Sequence, residues 1–148
     1  MQRNGGMTTP PPNHDPRTHA IIRAAFDVHR EVGAGSYGEG VCRDAVAVEF
    51  QLRKIPFMTE VPYPVVYKGV RLPSLYRADF VCVDAIIVEV KSLPIRTGKV
   101  EQAQMLKYLR ASGLKVALLL NFGLASLEFR RFVMGDWTNS RATLHEVG

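Results

Sequence analysis

Apolar residues at Ile21, Ile22, Ala25, Phe26 and Val28 recur at the three- and four-residue steps that line one face of a helix, and Gly33 and Gly35 follow as stop signals. A helix is therefore expected over residues 19–31. A second is expected over residues 37–54, closed by Pro56, which biases Ile55 away from helical backbone. Beyond Pro56 the pattern turns extended. Residues 57–68 are rich in Val and Tyr, and Pro62 and Pro64 mark a sheet edge or a bulge before Gly69 turns the chain. Residues 75–83 and 85–91 are dense in Val, Ile and Phe and meet at Asp84, as the two arms of a hairpin do. The polar stretch SLPIRTG leads into a helix expected over residues 99–112 and ended by Gly113. A continuous apolar strand over 115–121 and a last strand over 127–133 complete the series. Antiparallel hairpin strands combined with one helical crossover predict an α/β domain, a mixed β-sheet flanked by helices.

Residues 1–17 combine Pro10, Pro11 and Pro12 with Gly, Asn and Thr and offer almost nothing to bury, so a disordered tail is expected there. The domain is expected over 18–135, with residues 136–148 as a C-terminal tail. At 148 residues one core suffices without disulfides or a structural metal. Cys42 and Cys82 each stand alone in apolar segments and read as buried thiols. No apolar run approaches a membrane span, and the opening residues carry no signal-peptide pattern, which makes the cytoplasm the expected compartment. The net charge of +5 suits a polyanionic partner. Lys91, Arg96, Lys99, Lys107, Arg110, Lys115, Arg130 and Arg131 fall in a stretch with few acids and are expected to form a basic face.

Gly33-Ala34-Gly35-Ser36-Tyr37-Gly38 matches the GxGxxG letters of dinucleotide-binding turns. That turn needs a strand before it and a helix after it, whereas here a helix precedes the glycines, so nucleotide binding is not expected. The chemistry lies elsewhere. Asp79 is followed ten residues on by Glu89-Val90-Lys91, at the ends of the two hairpin strands. Alternation puts Glu89 and Lys91 on one face of their strand, and a turn at Asp84 brings Asp79 opposite them. Two converging carboxylates suit a hard divalent cation, and a neighbouring lysine can serve the attacking water, which are the parts phosphodiester hydrolysis needs. The alternative is a cross-strand ion pair with no catalytic task. On the following helix, Gln104 and Tyr108 are four apart and share a face, with Met105 and Leu109 toward the sheet.

The stretches VHREVG, AVAVEF, VVYKG, YRADFVC, IIVEVKSL, QAQMLKYL and LLLNFG, in that order between Ile21 and Phe132, resemble the GxxExxY family of the PD-(D/E)xK nuclease superfamily. The resemblance implies a restriction-endonuclease-like core, Mg²⁺ or Mn²⁺ as cofactor and DNA or RNA as partner. It assigns metal binding to Asp79, Glu89 and the Val90 carbonyl, catalysis to Lys91, and a place at the site to Gln104 and Tyr108. Glu39 matches the acid of the name motif, as a further ligand or water-positioning group. Ser36 and Cys42 stand where that motif has Gly and Tyr, and Ala78 replaces the Pro of the PD pair. Glu49 is the second choice to Glu39, with pairing to Arg53 as its structural role. His29 is expected to pack or to face solvent. Two functions follow: a metal-dependent nuclease, or an inactive nuclease-fold module that binds nucleic acid or a protein partner. A homodimer stays open.

Overall fold

The protein is described here by a computed structural model covering residues 15–35, 37–135 and 144–147. Helix α1 spans Pro16–Val32 and begins earlier than the apolar periodicity indicates. Asp15 caps it by accepting the Arg17 N–H, and proline occupies the first turn, where its missing N–H is harmless. The expected N-terminal tail thus gives up residues 15–17 to the domain, and residues 1–14 lie outside the described residues. Gly33 ends α1 at φ 73°, and α2 follows over Glu39–Leu52. Between the glycines and α1 there is no strand, which removes the dinucleotide reading of that loop.

Strands β1 (Phe57–Tyr67), β2 (Val70–Cys82) and β3 (Ile86–Lys91) come next, followed by α3 (Lys99–Ser112), β4 (Val116–Asn121), β5 (Glu128–Met134) and β6 (Leu144–Val147). Among the described residues these form one six-stranded sheet in chain order. All neighbours are antiparallel except β3 and β4, which run parallel and so need a crossover. Helix α3 supplies it. Strand β6 corrects the expected C-terminal tail, because Leu144–Val147 pairs with the otherwise open edge of β5. Four residues with no alternation of their own take extended form there through the neighbour's free peptide groups and the Arg130–Glu146 ion pair at 2.7 Å. Residues 136–143 lie outside the described residues.

The sheet is buried on both sides. On one face Phe80, Val88, Val90, Leu118 and Leu120 pack beneath Ile21 and Ala25 of α1 and Val46 and Phe50 of α2. On the other, Val81, Ile87, Ala117, Leu119 and Phe132 pack against Met105, Tyr108 and Leu109 of α3. Such double coverage explains the unbroken apolar runs of β3 and β4. It also means that any charge on these strands is buried unless it lies at a strand end. Among the described residues, no helix is long and apolar enough to cross a membrane.

Candidate active site

β2 and β3 pair through Cys82↔Ile86, Val81↔Ile87 and Phe80↔Val88, and there their ladder stops. The next opposed residues are Asp79 and Glu89. β2 turns away at this point and continues with β1 alone, through Ala78↔Val61 and Arg77↔Pro62. Side chains fill the gap: the Asp79 N–H donates to Glu89 Oε1 at 2.8 Å, and the Val90 N–H donates to Asp79 Oδ2 at 2.9 Å. Each acid therefore satisfies a backbone donor that the parting strands would otherwise leave bare. Both are deep, at 8% and 3% exposure. The bland alternative, an ion pair on a solvated sheet, does not describe residues so placed.

Burial of Glu89, followed by the neighbouring Asp79 charge, pushes its carboxyl up to about 8. Lys91 opposes that shift through its positive charge and sits half-buried at the end of β3. In a strand the N–H and C=O of one residue face the same edge, so the Val90 carbonyl is turned toward the gap where Asp79 lies. Two carboxylates and a main-chain oxygen form a hard-donor set of the kind magnesium-class ions take, since such ions keep water for their remaining positions, and the Lys91 ammonium stands beside that set. The residues fit the metal.

Glu39 opens α2 in an exposed position, and its charge contributes to the raised Glu89 and Cys42 values. It is not gathered with the pair: among the described residues no three His, Cys, Asp or Glu side chains group to hold a metal. Arg43, one helical turn further along α2, reaches in instead and donates to Asp79 Oδ1 at 3.3 Å. Sequence reading missed this residue, although its i+4 relation to Glu39 puts it on the same side of the helix. Glu49 binds Arg53 at 2.8 Å, its structural role, and His29 Nε2 lies 2.8 Å from the Leu124 carbonyl with its ring near Phe122.

Tyr108 is buried, and its hydroxyl donates to the Arg77 carbonyl at 2.8 Å, two residues before Asp79. Burial, then the charges of Glu89 and Asp79, raise its phenol above the usual range. Tyr108 thereby grips β2 at the point where it parts from β3. Gln104 stays half-buried one turn away. A second unforeseen residue is Asn121, paired with Lys91 in the parallel ladder and fully buried. Its Oδ1 accepts the Leu93 and Gly123 N–H groups, and its amide donates to the Ile95 carbonyl and to Glu128. That clasp fixes the chain immediately after Lys91. Gly123 is obligatory in it, because an added Cβ would stand 2.1 Å from the Leu93 carbonyl oxygen.

The expected basic face is only partly present. Arg131 is buried and donates to Thr18, while Arg130 is held by Glu146, Thr97, Gly98 and Gln102. Lys99, Lys107, Arg110 and Lys115 remain exposed. Cys42 and Cys82 are free and buried, with the Cys82 thiol pushed up to about 12 by burial.

A mixed sheet between helices, with paired acids and a lysine where two central strands part, defines the chain as an α/β domain. A family model described as the PD-(D/E)XK nuclease superfamily matches residues 15–132, and the chain belongs to that superfamily. Its members are nucleic-acid enzymes that generally use divalent metal ions. Comparison with curated proteins and with solved structures gave no match.

Proposed function

We propose that this protein is a Mg²⁺- or Mn²⁺-dependent nuclease of the GxxExxY branch that hydrolyses phosphodiester bonds in nucleic acid. The observation that carries the reading is the reciprocal bonding of Asp79 and Glu89 at the parting of β2 and β3, with Lys91 next along the same face. Asp79, Glu89 and the Val90 carbonyl would hold the metal, which would supply charge for the phosphoryl oxygens and acidify water. Lys91 orients the attacking water toward phosphorus, where its oxygen forms the new bond as the bond to the leaving ester oxygen breaks, the water giving its proton to solvent and the leaving oxygen taking one from it. Glu39 holds the proton-accepting water network at the mouth, and Gln104 contacts the substrate. Tyr108 keeps β2, and with it Asp79, in place. Arg43 must yield Asp79 Oδ1 when a cation takes that oxygen.

The second reading is an inactive fold that binds nucleic acid without cutting it. It is favoured by the absence of a third clustered acid among the described residues. Purified protein with Mg²⁺ or Mn²⁺ on single- and double-stranded DNA and RNA decides between them, beside Asp79→Asn and Glu89→Gln. Cleavage lost in both variants supports the nuclease. Cleavage unchanged in them refutes the assigned site, and binding with no cleavage by the wild type selects the inactive fold.

A further inference from the structure

Beyond Asp79 the β1–β2 hairpin leaves the main sheet and runs on as a two-stranded ribbon, since β2 touches β3 only at residues 80–82. From Val61 to Ala78 the ribbon contains no Asp or Glu, but it carries Lys68, Arg71 and Arg77, all exposed. Apolar residues crowd its tip, where Val66, Tyr67 and Val70 are 62%, 60% and 63% exposed and the Lys68 ammonium lies 5.5 Å from the Tyr67 ring centre. Beside the ribbon runs α3. Its Lys99, Lys107 and Arg110 are exposed, and steps of eight and eleven residues keep them on one side of the helix, away from Glu101. Between the two elements lies a groove of about 360 Å³, walled by Pro64, Val66 and Tyr76 on one side and Lys107 and Arg110 on the other. The Tyr108 hydroxyl ties α3 to the ribbon through the Arg77 carbonyl.

We infer that the ribbon and the outer face of α3 form a binding surface for duplex DNA, separate from the acid pair and leading away from it. The inference rests on the nuclease reading for the phosphodiester at Asp79, and adds to it the form of the substrate and where the rest of it lies. Three features select a duplex. Positive charge without interspersed acid matches a phosphate backbone. A two-stranded ribbon fits the roughly 12 Å major groove of B-form DNA, which A-form RNA does not offer. Single strands are gripped by successive stacking aromatics, whereas Tyr67 is the exposed aromatic on this arm among the described residues. Length sets a measurable reach. Arg71 is eight residues from Asp79 along β2, which at about 3.4 Å per residue is roughly 27 Å, or about eight base pairs beyond the scissile phosphate.

Fluorescence anisotropy in EDTA, where no cleavage occurs, tests this with a labelled 24-base-pair DNA. The paired variants Lys68→Gln/Arg71→Gln and Lys107→Gln/Arg110→Gln are compared with Arg23→Gln, an exposed position on α1, which packs on the face of the sheet opposite α3. Each pair is expected to weaken binding about tenfold or more and to flatten the log–log salt slope by about 1.8, with the melting temperature unchanged and Arg23→Gln binding as wild type. Duplexes shortened below about eight base pairs on one side should lose affinity in the wild type and not in the ribbon variant. Wild-type affinity in both paired variants overturns the inference. So does tighter binding of single strands or of duplex RNA, or a dimer that dissociates on changing the ribbon tip, which would assign that tip to a second copy. Because binding is read without metal, a protein that binds as expected but never cleaves refutes the nuclease reading and leaves this surface standing. A protein that cleaves normally with both pairs replaced refutes the surface alone.

Discussion

Replacing Glu89 by glutamine isolates the electrostatic cost built into the site. In the fold its carboxyl is pushed up to about 8, against an ordinary value of 4.5. Below pH 4.5 both folded and unfolded chains keep this proton, and the stability it supports is fully present. From there to about pH 8 the unfolded chain releases the proton and the folded one retains it, so stability falls as pH rises and then levels off. At about 1.4 kcal/mol per tenfold change in proton affinity, Glu89 alone removes roughly 4 kcal/mol between pH 5 and pH 9. Glutamine cannot ionise, and its amide oxygen can still accept the Asp79 N–H that Glu89 accepts at 2.8 Å. Urea unfolding in EDTA across that pH range should therefore show the wild type losing roughly 4 kcal/mol more than Glu89→Gln. Adding Mn²⁺ at pH 8 should recover most of that loss in the wild type alone, since saturation a hundredfold above Kd stabilises the folded state by about 2.7 kcal/mol and the variant lacks a ligand. Stability curves that run parallel to within about 1 kcal/mol would refute the reasoning, because Glu89 would then ionise as an ordinary glutamate.

Arg43→Gln removes the cation that holds Asp79. Because this pair is partly exposed, the metal-free protein should lose no more than about 1 kcal/mol, while titration calorimetry should show Mn²⁺ bound about threefold to tenfold tighter; weaker Mn²⁺ binding would show that the arginine assists the metal. Tyr108→Phe deletes the hydrogen bond to the Arg77 carbonyl and should cost about 1 kcal/mol in thermal unfolding, with single-turnover cleavage slowed and metal affinity unchanged. Gly123→Ala should cost about 3 kcal/mol or more by urea unfolding, since both the added Cβ and the Leu93 carbonyl it meets belong to backbone held by Asn121.

Much of the fold was legible locally. The span of α3, residues 99–112, agrees with the expectation because Gly98 and Gly113 delimit it and its capping and C-terminal geometry use adjacent residues. The β2–β3 hairpin was likewise written in two apolar runs around Asp84, and the opposition of Asp79 and Glu89 followed from alternation and turn position alone. Helix α1 was placed three residues late because its start depends on the Asp15 cap and Pro16, not on apolar periodicity. β6 left no pattern to read, since its extended form is imposed by the edge of β5.

The sequence by itself determined which residues could do chemistry: the Asp79, Glu89 and Lys91 set and the strands that carry it are consequences of local spacing. Only the tertiary structure decided how these groups are used. That the strands part at Asp79, so that each acid binds the other strand's backbone, depends on β1 drawing β2 away from β3. That Arg43 and not Glu39 meets Asp79, and that Tyr108 grips the Arg77 carbonyl, depends on how α2 and α3 settle on opposite faces of the sheet. Nothing beside Arg130 and Arg131 in the sequence marks them as held, yet Arg131 is buried and Arg130 half-buried, each bound by partners at least sixteen residues away. Periodicity and spacing encode short-range geometry, whereas burial, ion pairing and raised pKa values arise where segments distant in the chain exclude water from one another.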